Sequence, residues 1–329
     1  MCSLVALCAL GVLGAFEPLA AEDFEFEQLT ETAFAALASS EATGNATVFR
    51  GTDAVLLVDS HIVPELARTV ISEIGYSGAS IRYLVNTHWH ADHSHGNAAY
   101  VENARGAFDI VAHDMTAEGF RERANEQLAM WPGFYGRQIA EHEDALANTP
   151  DMSAGERSWR ENWVSHAQLF LAEMESPQFA VPTLTVRDRL EVDLGGLRLE
   201  ILHAPGHTDG DLVVWDPVGR VLAAGDLILG QVFIGTDSPT QYRETLERMR
   251  DLNPRLIVPG HGPVMQGPDI LTGHIDALNE LMTATEAAVA EGLSLEATQE
   301  RLGTQLAGGR LGNLPALIER AFQEVSARD

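Results

Sequence analysis

The run Thr87-His88-Trp89-His90-Ala91-Asp92-His93 concentrates imidazole nitrogens and a carboxylate, the donors that hold zinc-type ions, in one short segment. Side chains at i and i+2 of an extended segment point the same way, so His88 and His90 can meet one ion. Asp92 and His93 follow where the chain turns toward a helix start at Gly96-Asn97, and can reach a second ion. Three later segments each set a ligand type just after an apolar run. Ala204-Pro205-Gly206-His207-Thr208 follows Leu197–Leu202, Ala223-Ala224-Gly225-Asp226 closes Val221–Ala224, and Pro259-Gly260-His261-Gly262 follows Leu256–Val258. Glycine or proline beside the polar residue lets the backbone turn sharply and aim one side chain at a common point. A lone histidine after a strand is more often a hydrogen-bonded loop residue. Five histidines and two aspartates arriving together suit two four- or five-coordinate ions that share oxygen ligands. Zinc is the default, with iron or manganese compatible with the same donors. Two such ions would bring the pKa of a shared water toward neutrality and polarise a carbonyl or phosphoryl oxygen. Asp92 is the candidate catalytic residue, able to orient that water and move a proton, and Asp59, after Ala54–Val58, is a candidate to brace a ligand from behind.

These residues need rigid elements to converge. Ala46–Phe49 and Ala54–Val58, joined by a turn at Arg50-Gly51-Thr52-Asp53, read as strands, and Pro64–Ile74 reads as a helix ending near Gly75. Ile81–Val85, Phe108–Ala112, Leu190–Leu194, Leu197–Leu202, Leu212–Trp215, Val221–Ala224 and Leu256–Val258 supply further short strands, which gives an α/β architecture. Residues 115–129, 136–147 and 155–175 read as helices, with breaks at Pro132-Gly133 and Thr149-Pro150. This insertion, 114–181, carries Trp131, Phe134, Tyr135, Trp159 and Trp163, which serve either to pack the helices onto the domain or to form a lid over a pocket. The tail, 266–329, reads as helices with breaks near Gly292 and Ala307-Gly308-Gly309. His61, His95, His113, His142, His166, His203 and His274 read as ordinary surface or hydrogen-bonded histidines, although His95 and His113 stand where they could touch the pocket.

Composition narrows the function. With 48 acidic against 21 basic residues the formal charge is −27, which argues against a nucleic-acid partner and for a small-molecule substrate. Every basic residue is arginine, which removes a lysine Schiff base, a P-loop lysine and a Ser-x-x-Lys nucleophile from consideration. The run Leu4–Phe16, followed by Ala20-Ala21, reads as a signal peptide over residues 1–21 and so predicts export to the periplasm, leaving 22–329 as one mature domain. Both cysteines, Cys2 and Cys8, fall in that leader, so the mature domain has neither a disulfide nor a thiolate ligand. No later segment reads as a membrane span.

In order, H-x-H-x-D-H, P-G-H-T, G-D and P-G-H-G resemble the motifs of the metallo-β-lactamase superfamily, over about Ala46 to Gly262. The resemblance implies a four-layer αββα sandwich with a two-metal site at one edge between the sheets. By motif, His88, His90 and His207 would hold the first ion, Asp92, His93 and His261 the second, and Asp226 would bridge them. A bridging aspartate resembles the site of glyoxalase II, lactonases and related acyl-bond hydrolases, so the expected substrate is a lactone, ester or thioester. A β-lactamase is the alternative, weakened because Asp226 stands where the thiolate-containing subclasses use cysteine and no lysine is present for the drug carboxylate. An alkylsulfatase, an iron-dependent dioxygenase and a metal-binding protein without catalysis complete the alternatives.

Overall fold

A computed structural model describes residues 23–75, 80–175, 179–236 and 238–328, so the expected leader lies outside the described residues. The chain runs β1 (Phe24–Gln28), β2 (Ala33–Ala38), β3 (Ala46–Arg50), β4 (Ala54–Val58), α1 (Pro64–Ile74), β5 (Ser80–Val85), α2 (Ala91–Ser94), α3 (Asn97–Asn103) and β6 (Asp109–His113). Next come α4 (Asp114–Asn148), α5 (Ala154–Glu173), β7 (Leu184–Val186), β8 (Arg189–Asp193), β9 (Arg198–His203), β10 (Leu212–Asp216) and β11 (Val221–Gly225). The chain continues with α6 (Pro239–Asp251), β12 (Leu256–Pro259), β13 (Met265–Gln266), α7 (Asp269–Ala290), α8 (Leu295–Gln305) and α9 (Leu314–Ser326).

The strands form a seven-stranded sheet, β1 to β7 in order, and a six-stranded sheet ordered β13-β12-β11-β10-β9-β8. β4 to β7 pair in parallel, as do β11 and β12, and the remaining neighbours are antiparallel. Alternation along each strand sets the layers, because successive side chains leave opposite faces of a sheet. Leu56 and Val58 of β4, with Leu212 and Val214 of β10, face the core between the sheets. Val55 and Leu57 turn outward onto α1, α3 and α5. Val213 and Trp215 turn outward onto α6, α7, α8 and α9. Helices, two facing sheets and helices again make the expected four layers.

α1 shows how the sequence writes such a helix. Pro64 occupies the first turn, where its missing N–H costs nothing, and Glu65 complements the positive end of the helix. Leu66, Ala67, Val70, Ile71 and Ile74 make one buried stripe, and Gly75 ends the helix at φ 60°.

Three details depart from expectation. β1, β2, β7 and β13 are not among the strands read from the sequence, although Phe24-Glu25-Phe26-Glu27 already alternates with period two, and Gln266 of β13 falls where the helical tail is expected to begin. Ser238 caps α6 and Pro239 opens it, a helix start the hydrophobic pattern alone does not display. The expected break at Pro132-Gly133 is absent, since α4 runs unbroken from Asp114 to Asn148 with Pro132 inside it. Trp131, Tyr135 and Ile139 of α4 pack with Trp159, Trp163 and Phe170 of α5 in one apolar cluster, and that packing outweighs the local cost of a proline. Pro132 itself is exposed. Pro132→Ala therefore restores a backbone hydrogen bond without disturbing the core, and Tm by circular dichroism should rise by roughly 2–4 °C. A falling Tm would show that the ring is favoured where it stands. Among the described residues, no helix is long and apolar enough to cross a membrane.

Candidate metal centre

The predicted ligands gather at one end of the sandwich, from both sheets. His88 and His90 lie in the loop after β5, and Asp92 and His93 sit on the single turn of α2. Asn86 and Asn97 exchange side-chain amide hydrogen bonds of 3.0 and 2.8 Å, which fix the start of that loop to the start of α3. His207 follows β9, Asp226 follows β11 and His261 follows β12. Gly225 adopts φ 51°, and a Cβ there would stand 2.5 Å from Thr87 Oγ1, so glycine is required for the two sheets to close on the site. A Cβ at Gly260 would fall 1.8 Å from Asp226 Oδ1.

The ligand atoms fall into two groups, His88, His90, His207 and Asp226 in one, Asp92, His93 and His261 in the other. Asp226 reaches both. Its Oδ2 lies 3.4 Å from His207 Nε2 and 3.9 Å from His88 Nε2, while its Oδ1 lies 3.1 Å from His93 Nε2 and 3.6 Å from His261 Nε2. Asp92 Oδ2 stands 3.2 Å from His93 Nε2 and 3.1 Å from His261 Nε2. On the other side His207 Nε2 and His90 Nδ1 converge to 3.1 Å. Two donor atoms aimed at this centre, His88 Nε2 and Asp226 Oδ1, are buried without a hydrogen-bond partner. Orphaned polar atoms are rare in protein interiors, and here they belong to a convergent nitrogen and oxygen donor set, so the residues fit divalent cations.

A buried carboxylate behind the ligands sets their tautomers. Asp59, at φ 63°, accepts from Thr87 N (2.8 Å) and Thr87 Oγ1 (2.9 Å), and His93 Nδ1–H donates to it at 2.8 Å. With its hydroxyl proton committed to Asp59, Thr87 Oγ1 can accept from His88 Nδ1–H at 3.0 Å. With Nδ1 of each ring engaged as a donor, both imidazoles direct Nε2 toward the centre. The expectation that Asp59 braces a ligand understates it, because Asp59 serves one ligand of each group.

The electrostatics divide the histidines. Burial first, and then neighbouring imidazoles, push His88 well down and His90 to about 3, so both are neutral donors at ordinary pH. Burial also disfavours charge on His93, but Asp226, Asp92 and Asp59 outweigh it and hold His93 well above its usual value. His261 is raised against its own burial, chiefly by Asp226 and Asp92. Asp92 and Asp226 resist burial in turn and stay well below the usual carboxylate range, held there first by His93.

The other histidines are packed or hydrogen-bonded, and most are buried. His95 is turned away from the centre, its ring 5.6 Å from Phe170 and 5.0 Å from Phe179. His113 accepts from Met115 N at 3.2 Å, which caps α4, and stacks on His203 at 3.9 Å. His61 Nδ1 donates to Gly44 O at 2.8 Å. His166 lies 2.8 Å from Ser40 Oγ, His142 stacks on Trp163, and His274 is buried in α7. The insertion divides along its length. Tyr135, Trp163 and Phe170 are buried, whereas Met115, Glu118 and Glu122 of the first turns of α4 line a cavity of ≈ 350 Å³ that reaches His90 and His207. Those three positions share one helix face, a spacing visible in the sequence once His113 is placed at the helix start.

The family model for the metallo-beta-lactamase superfamily matches residues 41–261. The chain is 24% identical over 253 residues to the linear primary-alkylsulfatase of Pseudomonas sp. (strain ATCC 19151), a match covering 72% of this chain and 44% of that protein. It is 28% identical over 185 residues to the acyl-coenzyme A thioesterase MBLAC2 of Bos taurus, covering 54% of each. The chain thus spans about half the length of these relatives or less. Among solved structures, the stereoselective inverting sec-alkylsulfatase Pisa1 from Pseudomonas sp. superposes with a TM-score of 0.61 at 14% identity, over 92% of this chain and 50% of that one. At that identity the likeness is one of fold.

Proposed function

The chain belongs to the metallo-beta-lactamase superfamily, and from that premise we propose that it is a hydrolase dependent on two zinc-type ions that cleaves the acyl bond of a lactone, ester or thioester. The observation that carries this reading is Asp226, which turns one carboxylate oxygen to each group of ligands. His88, His90 and His207 would hold one ion, Asp92, His93 and His261 the other, with Asp226 shared. Bound there, the ions would supply an activated water and polarise the substrate carbonyl. The protein's own part is to fix donor directions through Asp59 and Thr87 and to keep His88 and His90 neutral by burial. Asp92 is the proton carrier, with its carboxylate held ionised beside His93 and His261. A sulfate ester is the second reading, favoured by the alkylsulfatase match over 72% of the chain.

The test joins metal content to turnover. Elemental analysis of protein expressed with ample zinc should give about two ions per chain. Lactone, ester and thioester substrates should then be cleaved, and a strong chelator should abolish the rate. Protein without metal, or a rate indifferent to chelator, would end the proposal. Proton linkage gives a second readout. In the metal-free protein His93 is held protonated by three carboxylates, so loading at neutral pH must release its proton. Apparent affinity should therefore fall roughly tenfold per pH unit as the solution is acidified below the raised pKa. Calorimetry in buffers of different ionisation enthalpy measures the release, and a loading reaction without proton release would contradict the assignment of His93.

A further inference from the structure

Two cavities open on the metal centre. The one of ≈ 350 Å³ carries Trp89, Met115, Glu118, Glu122, Asp209 and Phe233 on its walls. The other, ≈ 490 Å³, has Asp226 and His261 on its lining with Glu41 and Gln231. Asp226 and His261 belong to the candidate metal centre, so the reacting group of a ligand has a place on this side. The rest of the ligand has the first cavity. Met115 and Phe233 are 50% and 39% exposed there, an apolar surface that bound substrate would cover. Among the described residues, and apart from the candidate ligands His90 and His207, the charged side chains on its wall are negative. Glu118 and Glu122 lie one helical turn apart on α4, and Asp209 joins them from the loop that carries His207. Among the described residues no arginine lines either cavity, and the chain contains no lysine.

Sulfate, phosphate and carboxylate groups lose hydration on entering such a cavity and recover it only where a cation or hydrogen-bond donor meets them. An alkyl or aryl group loses nothing there, and an ammonium gains carboxylate partners. Resting on the hydrolase reading above, we propose that the substrates are apolar esters or lactones whose non-reacting end is uncharged or cationic, and that Glu118 and Glu122 turn away anionic ones. Specificity here comes from repulsion as much as attraction.

Three esters of matched length provide the test on zinc-loaded protein: p-nitrophenyl hexanoate, p-nitrophenyl 6-aminohexanoate and mono-p-nitrophenyl adipate. The adipate monoester should show kcat/KM at least about tenfold below the hexanoate. In Glu118→Gln/Glu122→Gln, both positions exposed, that ratio should shrink to within roughly threefold, as it should at high salt. An adipate ester cleaved as fast as the hexanoate, or a ratio unmoved by the double substitution, would overturn the proposal. Calorimetry with benzyltrimethylammonium and benzenesulfonate reads the cavity without turnover. The cation should bind, and should bind about tenfold more weakly in the double variant. Equal or tighter binding of the sulfonate would overturn the proposal. A preference for the cation, with no ester, lactone or thioester cleaved, would uphold the charge selection by Glu118 and Glu122 while ending the hydrolase reading and with it the substrate class.

Discussion

Asp226→Ser lowers the metal content from about two ions per chain toward one, and kcat/KM for an acyl substrate falls by more than the roughly 10–100-fold that follows loss of an outer partner. Among the described residues, Asp226 is the one whose two oxygens address both groups, at 3.4 Å from His207 and 3.1 Å from His93. Serine removes both contacts and also removes a negative charge between two cations. His93, His261 and His207 outweigh the burial of Asp226 and hold its carboxyl well below the usual range, so the metal-free variant should lose some stability, and its Tm is measured beside its metal content. Elemental analysis separates loss of an ion from loss of turnover with both ions retained. A variant holding two ions and full acyl-hydrolase activity would mean that Asp226 does not bridge, and the β-lactam alternative would gain.

Asp59→Asn should weaken metal binding by roughly 10–100-fold without touching a ligand. Asparagine tolerates the left-handed backbone at φ 63° better than most residues, so the main chain is kept. Its carbonyl oxygen can still accept from Thr87 N, as Asp59 Oδ1 does. Its amide nitrogen then faces Thr87 Oγ1 and His93 Nδ1, and donates where the carboxylate accepted. His93 must shift its proton to Nε2, the nitrogen needed by the ion. The Thr87 hydroxyl loses its acceptor, and with it the arrangement that orients His88. Metal affinity should drop at both positions, while the metal-free protein should keep its Tm, since burial already raises the pKa of Asp59. Competition with a fluorescent zinc chelator measures the first and calorimetry the second. Unchanged affinity would show that the imidazole orientations do not depend on Asp59.

The cluster of histidines and aspartates was legible in the sequence because its information is local. His207, Asp226 and His261 each follow a short apolar strand and sit beside a glycine, so no long-range knowledge is needed to see that they leave the same kind of strand end. The two layers of outward-facing strand residues were legible for a similar reason, since a period of two is written in five residues of β4 or β10. What the sequence hid is tertiary. Pro132 signals a break, and only the aromatic packing of α4 on α5 overrules it. The double service of Asp59 depends on Thr87 and His93 arriving from another segment. The acidic cavity wall exists only once α4 is laid beside the loop after β9.

The ligands reach the centre from both sheets, and this orders events during the making of the protein. As the chain emerges from the ribosome, His88, His90, Asp92 and His93 appear well before His207, Asp226 and His261. An ion captured early would meet only part of its donors, without the shared carboxylate and without the facing sheet. The contacts that complete the centre join the end of β5 to the ends of β9, β11 and β12, and such distant pairings form late in folding. A nascent chain that bound a divalent ion before the sheets docked would hold it with only part of its donors, in a state exposed to aggregation. If the centre takes two ions, productive uptake would follow closure, and a loaded centre would be a timestamp for the finished fold rather than a seed for it.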